Sequence, residues 1–338
     1  MIAPPSTGTF IRAIAHHLPA RVVSNQDLID AESLRLKDAW VRENIGITER
    51  RFVAEGETAA TMTSSVAEKL LARAGIPASA VSRLIVATVS PDVPTPSTAC
   101  VAQSLFAPGS TFPCVDVVAA CGGFLYALDY ARRCVQTGDE HVLCIASEVR
   151  SAFLDRRDRR TVMLFGDAAA GVLVSRARPG DIGIVDTRTF ADGRFWDAVS
   201  VPAGGSRRPT SETTVAERAH CIAMKDGAAI FERAVREMDE LTRSITLDHG
   251  LTLDDVGYFV PHQASARIVD RVAESLGVDA TRIHRNFAIR GNVTAASVPL
   301  ALSEAVETGK ITAGQYAVLV ATGGGFTAGS ALLRWEAP

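Results

Sequence analysis

The sequence lacks an excess of either charge. Its 35 Lys and Arg stand against 38 Asp and Glu, for a net charge of −3. So even a balance offers no electrostatic footprint for nucleic acid or an anionic membrane. No apolar run approaches the length of a membrane span. The opening residues, "MIAPPSTGTF", carry neither a basic n-region nor a long apolar h-region, so no signal peptide is expected there. Cysteine occurs at 100, 114, 121, 134, 144 and 221. No pair is spaced C-x-x-C, and no His-x-Cys cluster has the spacing of a zinc site. A chain this long does not need disulfides to fold. These absences predict a reduced, cytoplasmic protein with no metal and no nucleic-acid or membrane partner. There is no low-complexity tract.

What is present is an ordinary globular composition, 47% hydrophobic and 22% charged. The length suits two domains, or one large domain of two similar halves. "RLIVATVS" (83–90), "FPCVDVVAA" (112–120), "HVLCIASE" (141–148) and "AAAGVLVS" (168–175) read as buried strands. Among them, "GGFLYALDYARRCVQTG" places apolar residues at helical spacing and closes at Gly138 as a C-cap. The alternation predicts a buried α/β sheet. The second half repeats the grammar in "DVGYFVPHQAS" (255–265), "NVTAASVPLALSEAVETG" (292–309) and "GQYAVLVATGGG" (314–325). We therefore expect an internal duplication joined near 175–182, with halves 1–178 and 179–338. The Gly-, Pro-, Ser- and Thr-rich stretch 191–220 reads as a long surface excursion of the kind that forms lids. "LDRRDRR" (154–160) reads as a solvated basic loop.

One stretch carries chemistry. In "DVVAACGGFLYAL" a strand ends at Cys121, two glycines follow, and a helix begins. A thiol there faces free backbone N–H groups and the positive end of the helix dipole, which predicts a lowered pKa and an activated nucleophile. Its own N–H can help hold an oxyanion. "FVPHQAS" places His262 just past a strand, and "RGNVTAAS" places Asn292 at the mouth of a helix. If the strands are parallel, their ends converge on one crevice. A thiolate to carry an acyl group would then meet two donors able to hold an enolate. The glycine turn in "ATGGGFTAG" can complete an oxyanion hole.

These motifs carry a resemblance. "DVVAACGGFLYAL", "VPHQASARIV", "GNVTAASVPLAL" and "GGGFTAGSALLRW", with weaker matches in "FGDAAAGVLV" and "AWVRENIGITERRF", are similar to the β-ketoacyl-acyl carrier protein synthase III family of the thiolase-like superfamily. They keep the family's order and spacing over nearly the whole chain. The resemblance implies a duplicated five-layer αβαβα fold, a homodimer and no cofactor. It puts Cys121, His262 and Asn292 on the catalytic positions, and Cys121 and Gly324 on the oxyanion hole. It implies that Cys121 takes an acyl group from a thioester, usually of coenzyme A. Malonyl-acyl carrier protein then loses CO₂, and its enolate attacks the acyl-Cys carbonyl to give a β-ketoacyl-acyl carrier protein.

The chain also departs from the family's pattern. Trp40 matches the aromatic that stacks on the coenzyme A adenine, but Asn44 and Ala152 stand where the family often has arginines. Thr95 replaces a Phe that closes the acyl pocket across the dimer, and Thr322 replaces a Phe beside the cysteine. These changes point to a specialised member with a primer other than acetyl, either medium-chain or dicarboxylyl such as glutaryl, as in biotin-pathway members. Arg150 is placed to pair with such a primer's free carboxylate, against the plainer roles of an ion pair with Glu148 or an exposed loop arginine. Arg267 matches an arginine that contacts the carrier protein, with Glu232 and Glu274 expected in the same patch. Asp167 reads as a turn or dimer-contact carboxylate, and the other histidines as surface or core residues. The competing enzyme is an acyltransferase on the same fold with a hydroxyl, amine or thiol acceptor. Asn292 argues against it, because an amide cannot act as general base.

Overall fold

The computed structural model describes residues 8–176 and 182–335. Nine strands form one mixed sheet: β1 (Thr9–His17), β2 (Arg83–Ala87), β3 (Cys114–Val117), β4 (His141–Glu148), β5 (Ala168–Arg176), β6 (Ile182–Ala191), β7 (Val256–Pro261), β8 (Tyr316–Gly323) and β9 (Thr327–Trp335). Their order is β7-β8-β9-β6-β1-β5-β4-β2-β3. In the first run β2 is parallel to β3 and β4, and β5 is antiparallel to β4 and β1. In the second, β7 is parallel to β8, and β9 is antiparallel to β8 and β6. Read outward from the centre, both runs follow one plan: first strand, last, next to last, second. An isolated parallel bridge between Phe259 and Ile283 stands where the second run would hold a counterpart of β3. β1 and β6 pair antiparallel and join the runs. The join expected at 178–179 lies outside the described residues.

β4 shows why the strands read as continuous apolar runs. Val142, Cys144 and Ala146 enter one core, and Leu143 and Ile145 enter another, so both faces are buried. On the outer face of the first run lies α1 (Ala59–Ala74), started by a Thr58–Thr61 capping box and ended by Gly75 in a left-handed conformation. It packs Met62, Val66 and Leu70 against the sheet. Two helices, α2 (Gly123–Thr137) and α5 (Ser297–Glu307), lie between the two runs. Phe124, Leu128, Val298 and Leu302 share a core with Ile85 and Val172 of the first run and Leu319 and Leu333 of the second. The outer face of the second run is covered by α3 (Gly227–Leu247) and α4 (Ala266–Leu276). The layers are helix, sheet, helix, sheet, helix, which is the expected thiolase-like αβαβα architecture.

The helix expected from Asn292 begins later. The Asn292 backbone pairs with Phe165, Thr294 takes φ 51°, and a short turn over Thr294–Ala296 precedes α5. The excursion after β6 folds back over the sheet through a ladder of Val199–Ser200 with Ala223–Met224. In the basic run, Arg157 and Arg160 pair with the neighbouring Asp155 and Asp158, as a solvated loop would. Among the described residues no helix is long and apolar enough to cross a membrane, and no group of three or more His, Cys, Asp or Glu is placed to hold a metal.

Candidate active site

The chain turns sharply between β3 and α2. Ala120 has φ 46°, a left-handed conformation that strains a residue with a Cβ. Cys121 sits in the single turn Ala120–Gly122. The turn is held by Thr327 Oγ1, which donates to the Ala119 carbonyl at 2.7 Å. The end of β8 presses against it: a Cβ on Gly323 would lie 2.5 Å from the Cys121 nitrogen. Only glycine permits this approach, and the next residue, Gly324, packs against Val199, where an added Cβ would lie 2.7 Å from the carbonyl oxygen.

His262 follows β7, and its N–H donates to the Val320 carbonyl at 2.8 Å. Its neighbour Gln263 is locked: its N–H donates to Ser297 Oγ at 2.8 Å, and Nε2 donates to the Pro261 and His284 carbonyls. The imidazole is 1% exposed, yet neither Nδ1 nor Nε2 has a partner. Burial pushes its pKa down to about 3, so the ring is neutral at pH 7 with one N–H to donate. Asn292 is fixed from the other half of the chain. Its N–H donates to the Leu164 carbonyl at 2.8 Å, and its own carbonyl accepts the Gly166 N–H at 3.1 Å. Its side-chain oxygen accepts the Thr294 N–H at 2.9 Å, which leaves the NH₂ as the free donor.

These groups meet in one cavity of about 490 Å³, whose lining includes Cys121, His262, Asn292, Thr322 and Gly324. Val199 and Val201 of the excursion, with Ile222 and Met224 just beyond it, contribute to the apolar wall. Of the excursion, only 198–201 reaches the cavity lining. Arg150 and Asn44 also face the cavity, and Arg267 stands exposed at its rim. Trp40 is exposed one turn before Asn44 and does not line the cavity. Thr95 and Ala152 are exposed and also lie outside it. Glu232 and Glu274 line a separate surface groove with Arg236 and Arg271. Asp167 is a buried clasp that accepts the Ser151 and Val53 N–H groups.

Arg150 is not an exposed loop arginine, and Glu148 acts on it through its charge without a close ion pair. It is 5% exposed, and among the described residues no carboxylate lies within ion-pair distance of it. Nη1 donates to the Val89 carbonyl at 3.3 Å, and Nε has no partner. The guanidinium rests 5.5 Å from the Phe153 ring centre and 5.8 Å from that of Phe165.

The lowered pKa expected for Cys121 is reversed. The residue keeps some surface open to the cavity while protein encloses its sulfur. Burial, reinforced by the charge of Glu148, pushes the thiol up to about 12 against the opposing pull of Arg150 and the backbone. Desolvation of a full charge exceeds what one helix terminus supplies. Glu148 itself escaped the sequence reading as a site residue. Its one signal was a carboxylate closing an otherwise apolar strand.

A thiol, a neutral imidazole and a free amide thus face one largely apolar cavity on the αβαβα frame. The family described as 3-oxoacyl-(acyl-carrier-protein) synthase III matches residues 115–193, and its C-terminal counterpart matches 247–335. The chain is 39% identical to the β-ketoacyl-(acyl-carrier-protein) synthase III of Chlorobium chlorochromatii, over 96% of this chain and 99% of that protein. It is 40% identical to the protein of that name in Rhodospirillum rubrum, over 96% and 98%. The crystal structure of the synthase III from Aquifex aeolicus superposes with a TM-score of 0.87 at 34% identity, covering 97% of this chain and all of that one. The chain belongs to the β-ketoacyl-acyl carrier protein synthase III family, and is accordingly an acyltransferase-class enzyme that condenses an acyl primer with malonyl-acyl carrier protein.

Proposed function

We propose that the primer is not acetyl, and that its far end carries a carboxylate which Arg150 receives; glutaryl is the example we favour over a plain medium-chain acyl group. The carrying observation is Arg150 itself, a buried cation that faces the cavity and, among the described residues, has the charge of Glu148 nearby but no carboxylate in a close ion pair. Such a charge is costly unless a ligand completes it. In this reading Cys121 Sγ bonds the primer's carbonyl carbon, and the donor's thiol leaves with the cysteine's proton. The oxyanion is held by the N–H groups of Cys121 and Gly324. The malonyl thioester follows. As its carboxylate leaves as CO₂, the bonding pair becomes an enolate, held by donors from His262 and Asn292. The enolate carbon attacks the acyl carbonyl, the C–S bond breaks with its electron pair on Cys121 Sγ, and a proton from solvent restores the thiol. A neutral imidazole is what this needs, since it donates a hydrogen bond without surrendering a proton.

Arg267 at the rim is our candidate for carrier docking, and Trp40, in the short helix Asp38–Asn44, for the nucleotide of coenzyme A. The unpaired outer edge of β3, with Val118 76% exposed beyond it, supports a homodimer in which Thr95 approaches the partner's cavity. We read the chain as halves 1–178 and 179–338 acting in the cytoplasm without a cofactor.

Intact-protein mass spectrometry tests this. The protein is incubated with acetyl, octanoyl and glutaryl thioesters, with Cys121→Ala as control, then with malonyl-acyl carrier protein. We expect the glutaryl mass on the protein, none on the control, and discharge to a β-keto product. Loading by acetyl alone overturns the primer assignment. Loading without discharge turns the reading to acyl transfer onto another acceptor.

A further inference from the structure

Glu148 ends β4 with none of its surface exposed. Its carboxylate is held from three sides. Ser90 Oγ donates to it at 2.6 Å, the Val89 N–H reaches both oxygens at 3.3 Å, and the Ala295 N–H lies 3.4 Å away. Ser90 is itself secured, since its Oγ accepts the Val149 N–H at 2.8 Å. Val89 and Ser90 follow β2 in the first run, while Ala295 lies in the turn behind Asn292 in the second. Ala295 in turn abuts the start of α2. A Cβ on Gly123 would meet the Ala295 Cβ at 3.2 Å and that of Ala87 at 3.3 Å. Glu148 therefore occupies the joint between the turn that carries the nucleophile and the turn that carries the amide donor. Apolar packing would fill this space at less cost than a carboxyl.

We propose that Glu148 is a positioning residue of the condensation: its carboxyl ties the Asn292 turn to the strand ends beneath Cys121, and its negative charge holds back thiolate formation in the empty site. The charged group that acts on both Glu148 and the Cys121 thiol is Arg150, and Glu148 in turn acts on the thiol, with His262 neutral in the same cavity. Burial pushes the Glu148 carboxyl up to about 7, with Arg150 opposing. The charge thus develops through neutral pH, and the thiol is more strongly opposed above pH 7 than below it.

Two substitutions separate the roles. Glu148→Gln keeps the shape and removes the charge. Iodoacetamide alkylation of Cys121 at pH 8 should become about tenfold faster, its pH midpoint moving down by about one unit. Glu148→Asp keeps the charge and shortens the reach to Ala295. It should leave the alkylation profile in place and slow malonyl discharge of the acylated protein about tenfold. An unchanged alkylation profile in Gln overturns the electrostatic role, and unchanged discharge in Asp overturns the tie. If neither variant folds, wild-type protein labelled with carboxyl-¹³C glutamate is titrated from pH 5 to 9. One buried carboxyl should titrate near 7 and shift when Cys121 is carbamidomethylated; absence of such a signal overturns the proposal. The inference rests on Cys121 as acyl carrier, but alkylation needs no acyl transfer, so its failure is distinguishable from failure of that reading.

Discussion

The two runs of the chain share one strand plan and put opposite chemistry at the ends of their strands. Around Cys121 the first run gathers charge: Glu148 is buried, Arg150 is buried, and the thiol is raised. The second run offers neutrality. His262 has two unpartnered nitrogens and a depressed pKa, and Asn292 is fixed by backbone pairing and one side-chain bond. The difference matches the two tasks. A nucleophile must switch between charged and neutral forms, so ionisable neighbours tune it. An enolate needs donors that stay put and stay uncharged, so that their hydrogen bonds are preorganised.

The contrast is broken most severely by removing the neutral side. His262→Ala or Asn292→Ala should lower condensation by about 10²- to 10³-fold, the usual cost of one oxyanion donor, while mass spectrometry still finds Cys121 acylated. Loss of acylation as well would mean that the two sides are not separable. On the charged side, Arg150→Leu should cost glutaryl loading about 10- to 100-fold, as expected for a charge-assisted hydrogen bond, and leave butyryl loading unchanged. Equal losses for both thioesters would make Arg150 structural. At the seam between the sides, Gly323→Ala forces a methyl group against the Cys121 nitrogen. It should cost about 1–3 kcal/mol of stability by denaturant titration, and slow loading more than the same change at Gly193, whose added Cβ would have nothing within 4 Å.

The smallest effect is on pH. His262 binds its proton near 3 in the folded state and near 6.5 when unfolded. The unfolded chain therefore takes up more protons as pH falls below 6.5, and stability declines towards pH 3. Between pH 7 and 5.5 the group accounts for about 1 kcal/mol of that decline. His262→Gln should flatten the slope by this amount in urea titrations, and an unchanged slope would mean that the imidazole is not buried neutral.

Much of this was legible in the residues. β4 matches its predicted strand, and α2 runs from behind Cys121 to Gly138 as its spacing indicated. α3 escaped, although Met238, Thr242 and Ile245 recur at helical spacing along its buried face; in the sequence it follows directly on a loop-like stretch that masks its start. α5 starts late because long-range pairing of Asn292 with Phe165 overrides the local helical pattern. The cysteine's pKa was misjudged for a related reason. A helix terminus is visible in sequence, but the enclosure of a sulfur by segments far apart in the chain is not.

The residue order alone determined the architecture and the family, and singled out Cys121, His262 and Asn292 as candidates, because periodicity and short motifs are local properties that survive without coordinates. Only tertiary structure decided that Arg150 is buried without a close ion pair, that both nitrogens of His262 are free, and that Glu148 spans the two runs. Each depends on desolvation and on distances between segments brought together by folding, and neither quantity is written in any one stretch of the chain.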